Sequence, residues 1–174
     1  MSDSCTVIVD RDVTAAAAPD TARALLDRLV ADGIVLPEPE PDRAFGPGHP
    51  PGPNAPHEAR RYRTNGVTID IGRAVHGLGP AVPGAECPTC GESVPEETLM
   101  VDLLPGWVAA TVTEYDCAEC GATCAPEELD WYDPVPVVGG VAVTFWNWPP
   151  EVEALAEMFA EVTGHRFGVG HDHR

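Results

Sequence analysis

Val141-Ala142-Val143-Thr144-Phe145-Trp146, running on into Asn147-Trp148-Pro149-Pro150, is the stretch from which the fold is read. All but Ala142 are β-branched or aromatic, and Gly139-Gly140 leads in, so the run is expected to be a central strand. Pro149-Pro150 stops it and opens a helix, since a proline ring is tolerated in a first helical turn. Glu151 and Glu153 sit where the helix dipole favours negative charge. Val152, Leu155, Ala156, Phe159 and Val162 recur at the spacing of one buried helical face, and Gly164 ends it. Residues 165–169 then form a last short strand. The two indoles flanking Asn147 lead to opposite expectations: one ring packs into the core, and the other faces outward as a possible contact.

A similar unit lies upstream. Residues 6–10 (Thr-Val-Ile-Val-Asp) read as a buried strand, and residues 20–32 as a helix carrying Ala22, Leu25, Leu26, Leu29 and Val30 on one face. Pro19 or Asp20 opens that helix and Gly33 closes it in a left-handed cap. Residues 67–71 (Val-Thr-Ile-Asp-Ile) alternate apolar and polar after the turn residues Asn65-Gly66, as a strand with one wet face does. The order strand, helix, strand, insert, strand, helix, strand matches an α+β fold of the ferredoxin-like, split βαβ type, with the insert between the second and third strands. Residues 1–83 and 132–174 would form the α+β sandwich and residues 84–131 the insert. Eight prolines between residues 37 and 56 (Pro37, Pro39, Pro41, Pro47, Pro50, Pro51, Pro53, Pro56) mark that stretch as a long loop without regular elements.

Inside the insert, Cys87-Pro88-Thr89-Cys90-Gly91 and Cys117-Ala118-Glu119-Cys120-Gly121 repeat one pattern. Two residues between cysteines let a tight turn aim both sulfurs at one ion, and the glycine that follows permits the backbone conformation the turn needs. The four cysteines Cys87, Cys90, Cys117 and Cys120 are the expected ligands of a single Zn2+. Over residues 84–131 the chain resembles the zinc-ribbon superfamily, which implies a structural metal. Four thiolates leave no open coordination position, so such a zinc fastens the chain and does not activate water. Twenty-six residues separate Cys90 from Cys117 (117 − 90 − 1), more than the compact spacing of about 15–20. A hairpin of residues 98–104 and 108–115, turning at Leu104-Pro105-Gly106-Trp107, is expected to fill the gap. Cys124 is the one substitute ligand within reach, and Cys5 reads as a spare thiol on an unanchored terminus.

Composition narrows the function classes. The 174 residues carry 28 acidic and 10 basic side chains, a net charge of −18, and every basic residue is Arg because the chain has no Lys. Such a charge repels phosphate backbones and anionic membrane surfaces, and favours a basic protein partner. No run reaches the roughly 18 apolar residues of a membrane span, and the acidic start Met1-Ser2-Asp3-Ser4-Cys5 is unlike a signal peptide, so a cytoplasmic location is expected. In that reducing compartment six cysteines read as metal ligands and thiols rather than disulfides. Absent Lys and scarce Asn match the codon bias of a G+C-rich bacterial genome.

The familiar catalytic signatures are missing. Without Lys there is no phosphate-binding loop of the usual kind, and no Gly-x-Ser-x-Gly elbow, His-Glu-x-x-His helix or dinucleotide fingerprint occurs. Glu96-Glu97 and Glu127-Glu128 read as solvated pairs whose adjacent side chains diverge. Three expectations follow: a non-enzymatic adaptor, inhibitor or immunity-type protein working through an acidic surface; a nucleic-acid-associated ribbon relying on Arg60, Arg61, Arg63 and Arg73; or a metalloenzyme using His171 and His173 of the tail with His165 nearby. His49, His57 and His76 share no ligand spacing.

Overall fold

The computed structural model describes residues 3–43, 46–77, 83–132 and 135–173. The strands β1 (Ser4–Asp10), β4 (Gly66–His76), β9 (Val137–Trp146) and β10 (Phe167–His173) build a four-stranded sheet in the order β10-β1-β9-β4. Every neighbour in it is antiparallel. The helices α1 (Ala18–Ala31) and α3 (Leu155–Thr163) pack on one face and touch each other. This is a mixed α+β architecture with an antiparallel sheet.

Alternation along the strands explains the two faces. Ile8, Val141, Val143 and Phe145 point to the helix side, where Leu25 and Leu29 of α1 and Phe159 of α3 join them in the main core. Fully burying each such side chain contributes about 1.5–3 kcal/mol, so this face supplies most of the stability. Val7, Val9 and Ala142 lie on the other side, also buried. Gly139 permits the strands to meet there: a Cβ on it would come 2.2 Å from the Asp10 carbonyl oxygen. As expected, α1 ends in a left-handed glycine, Gly33 at φ +67°. Gly164 does the same for α3 at φ +75°.

Four expectations are corrected. The Pro-rich loop carries two short strands, β2 (Glu40–Arg43) and β3 (Gly46–Gly48), paired with each other, because prolines in a two-stranded edge ladder can leave their missing donors facing outward. The loop is also fastened to β4 by backbone bonds between His49 and Val67 in both directions.

The hairpin within residues 98–115 is absent. In its place stand a π-helical turn (Thr98–Leu103) and the short helix α2 (Leu104–Val108). Leu99, Leu103, Leu104 and Trp107 are all buried, at the spacing of a helical face, and this outweighed the strand-like run of apolar residues. The π-turn has a local cause. Pro105 has no N–H to offer the preceding turn, and the Leu104 N–H reaches back five residues to the Leu99 carbonyl.

The outward-facing indole is also absent. Trp148 is buried on the helix side against Phe145, and Trp146 on the opposite side beside Cys5. Alternation alone would put residues two apart on one face; the left-handed Asn147 (φ +56°), just past the end of β9, separates the rings instead, and both sides are covered. Cys5, finally, lies within β1, paired with Trp146 and Asp172, and not on a loose end.

Between β4 and β9 run β5 (Ala85–Glu86), the π-turn, α2, β6 (Tyr115–Asp116), β7 (Thr123–Cys124) and β8 (Asp130–Trp131). This segment has a small cluster of its own formed by Ala85, Val94, Leu99, Leu103 and Leu129. It is docked on the sheet where Leu104 and Trp107 cover Val138 of β9 and Val75 of β4. Residues 78–82 and 133–134, where an insert would join the sheet, lie outside the described residues.

Candidate metal centre

Each cysteine pair is shaped by the same local bonds. In the first turn the Gly91 N–H donates to the Cys87 carbonyl at 2.9 Å, and the Cys87 N–H to the Glu92 carbonyl at 2.9 Å. In the second the Gly121 N–H donates to the Cys117 carbonyl at 2.8 Å, and the Cys117 N–H to the Ala122 carbonyl at 2.9 Å. Gly91 and Gly121 adopt φ of +73° and +71°, a region that strains any residue with a Cβ. The sequence repeat is therefore a structural repeat: two like turns facing each other.

Their sulfurs converge. All four Sγ atoms lie within 4.8 Å of one another. The contacts across the two turns are Cys87 to Cys120 at 3.8 Å and Cys90 to Cys117 at 3.7 Å. Zn–S bonds of about 2.3 Å put the sulfurs of a tetrahedron about 3.8 Å apart, so the spacing suits that ion. Cys87 and Cys117 are buried while Cys90 and Cys120 face solvent.

The electrostatics of the bare thiols point the same way. Backbone N–H groups of Thr89 and Cys90 stabilise the Cys87 thiolate and bring its pKa down to about 7. At Cys90 the Glu92 N–H also favours the thiolate, but the neighbouring thiols, Cys120 foremost, and burial outweigh it and push the value up to about 12. A thiolate is readily held at Cys87, while the neighbouring sulfurs oppose one at Cys90. A divalent cation at the centre removes that repulsion, so the cluster can hold a metal ion and is consistent with a zinc-ribbon-like site.

The other candidates do not join it. Cys124 lies on β7 opposite Tyr115, outside the set of four, and burial together with the nearby sulfurs raises its pKa. The tail histidines do not form a centre among the described residues. His171 contacts Thr6 at 3.3 Å and Glu153 at 3.4 Å. His165 pairs with the fully buried Asp10 at 2.7 Å. The side chain of His173 lies outside the described residues. Of the arginines, Arg61 lies over the Tyr62 ring, Arg60 donates to the Pro53 carbonyl, and Arg73 donates to the Trp107 carbonyl at 3.0 Å, which spreads them over separate contacts. Glu127 and Glu128 are exposed, as read from the sequence, and each has a task. Glu128 accepts from the Ala125 N–H, and Glu127 meets Arg166 at 3.5 Å.

Arg166 was not singled out from the sequence. Its guanidinium bonds Asp12 at 2.7 Å and reaches Glu127, joining the β1 end of the sheet to the cysteine-bearing segment. That hydrogen bond and charge hold the Asp12 carboxyl below its ordinary range. Nothing local marks such a pair, because 154 positions separate Asp12 from Arg166. Trp107 and Trp131 stack with centroids 6.4 Å apart and lock α2 to β8. No helix among the described residues is long and apolar enough to cross a membrane. Comparison with known proteins returns no match, whether to family models, to curated proteins or to solved structures.

Proposed function

We propose that this chain is a non-enzymatic, protein-binding protein of the adaptor, inhibitor or immunity type, in which a zinc ribbon presents an acidic surface to a basic partner. We read the β10-β1-β9-β4 sheet with its two helices as the ferredoxin-like split βαβ arrangement, serving as the platform on which the ribbon is mounted. One structural Zn2+ on Cys87, Cys90, Cys117 and Cys120 closes the ribbon.

The observation that carries this reading is the charge of residues 84–131. Glu86, Glu92, Glu96, Glu97, Asp102, Glu114, Asp116, Glu119, Glu127, Glu128 and Asp130 stand there without a single Arg. All of them except Glu86 are exposed. A zinc tetrathiolate adds two further negative charges to the same surface. Met100 and Val101, 42% and 63% exposed, lie among Glu96, Glu97 and Asp102 and supply apolar contact inside the charged rim. Negative charge around a small apolar spot favours association with Lys- and Arg-rich surfaces, chiefly through a faster on-rate. The same charge argues against the nucleic-acid reading, and Arg73 is already engaged with Trp107.

Cross-linking in native extract, followed by mapping of the linked residues, tests the proposal. A stoichiometric basic protein linked through residues 92–102, and lost with the triple variant Glu96→Gln, Glu97→Gln, Asp102→Asn, is the expected result. Recovery of nucleic acid, or no stoichiometric partner, would remove it.

A further inference from the structure

At the end of the sheet remote from the cysteines, the start of β1, the end of β9 and the approach to β4 meet around a cleft of about 420 Å3 lined by Asp3, Glu58, Arg61, Tyr62, Asn65 and Asn147, among others. A second depression of about 310 Å3 adjoins it, sharing Asp3 and adding Asp42. The larger volume falls within the range of small-ligand sites, about 300–1,000 Å3.

Its walls are built. Asn147 holds a left-handed backbone at φ +56°, and both ends of its amide are engaged: Oδ1 accepts from the Ser4 N–H at 2.9 Å, and Nδ2 donates to Asp3 Oδ1 at 3.0 Å. This fixes the Asp3 carboxylate at the cleft and leaves Oδ2 without a partner among the described residues. Asn65 is 1% exposed. Its Nδ2 donates to the Glu58 carbonyl at 3.2 Å, which sets the orientation of the amide, and its Oδ1 has no donor. An enclosed carbonyl oxygen left unpaired is costly, and its dipole adds negative potential to that of Asp3 and Glu58. Neither Glu58 nor Asp42 has an ion-pair partner among the described residues, although Arg61 lies one helical turn from Glu58. The Arg61 guanidinium instead lies 5.3 Å from the centre of the Tyr62 ring. The ring therefore already accepts a guanidinium, and the acceptors around it remain unanswered.

We propose that this cleft binds an organic cation, a guanidinium or alkylammonium group carried on an aliphatic chain. Its charge is met by Asp3 and Glu58, and its chain lies against Tyr62 toward Asp42. Two carboxylates against the single lining Arg61 disfavour an anion, and among the described residues no three carboxylate or histidine ligand atoms converge there to hold a bare metal ion. The site is independent of the acidic ribbon, which lies at the other end of the sheet. Two sources offer this chemistry: a free small amine, and the Arg side chain of a polypeptide.

Titration of the zinc-loaded chain with agmatine, spermidine and a blocked Arg-Gly-Arg peptide, followed by 1H–15N NMR, tests it. The side-chain amide signals of Asn65 and Asn147 are expected to shift and saturate. Asp3→Asn with Glu58→Gln, which keeps the Oδ1 acceptor for Asn147, is expected to weaken binding at least tenfold. Glu157→Gln with Glu161→Gln, which removes the same charge from exposed positions on α3, is expected to change it less than twofold. Tighter binding of agmatine or spermidine identifies a free amine, and tighter binding of the peptide an Arg side chain; either supports the site. Equal weakening by the two double variants, or no saturable shift with any probe, would overturn it.

Discussion

A single side chain on β4 ties stability to pH. His76 is largely enclosed, and burial, only partly offset by the charge of Asp70, holds its pKa below the ordinary 6.5. Its Nε2 is buried without a partner. The unfolded chain therefore takes up a proton near pH 6.5 that the folded chain refuses. This stability is fully present above pH 6.5 and drains away as the pH falls through it. Relative to His76→Gln, the wild-type chain is expected to lose urea midpoint steadily between pH 7 and pH 5. Parallel midpoints for the two proteins across that interval would show that His76 protonates equally in both states. At the same scale, the two glycine-closed cysteine turns were fully legible, because spacing and the following glycine are local properties. Asp10 with His165 and Asp12 with Arg166 were not, because each joins residues 154 or 155 positions apart and no local pattern announces it.

Among the elements, periodicity succeeded where one face was buried and failed where two patterns overlapped. The helices α1 and α3 follow from the helical period and β4 from alternation, while β1 and β9, buried on both faces, follow from continuous β-branched and aromatic runs. Thr98-Leu99-Met100-Val101-Asp102-Leu103-Leu104 contains both a β-like apolar run and a helical face, and packing decided between them. That packing centres on Trp107, 5% exposed, which covers Val138 and stacks on Trp131. Trp107→Ala is expected to destabilise the protein by about 3–5 kcal/mol in urea unfolding, as large buried aromatics do on truncation. Zinc content should stay at one ion per chain, because the cysteine turns are made by their own backbone bonds. A variant that lost both stability and zinc would show that α2, and not the metal, organises the segment.

For the molecule as a whole, two separate apolar clusters set the expectation. The sheet and its helices share the large core, while residues 85–131 have the small cluster around Leu99 and Leu103 to themselves and share the Leu104 and Trp107 contact with the sheet. A cluster of that size would gain its order from a metal on the four cysteines, since the apparent binding free energy in small zinc domains is about 10 kcal/mol or more. Removing the ion with a strong chelator under reducing conditions is therefore expected to open residues 85–131 to amide hydrogen exchange, while β1 and β9 stay protected. Simultaneous loss of protection in both would mean that the docked face of α2 makes the molecule one cooperative unit.

The uneven exposure of the four sulfurs has a kinetic consequence. An ion held by the four sulfurs would rest on the buried Cys87 and Cys117, with the exposed Cys90 and Cys120 forming its solvent-facing edge. Incoming chelators and thiophilic metals such as cadmium or mercury must attack across that edge. Release would proceed by swapping the outer pair first, and the lifetime of the bound ion would be governed by those two positions, even though all four sulfurs share in its affinity.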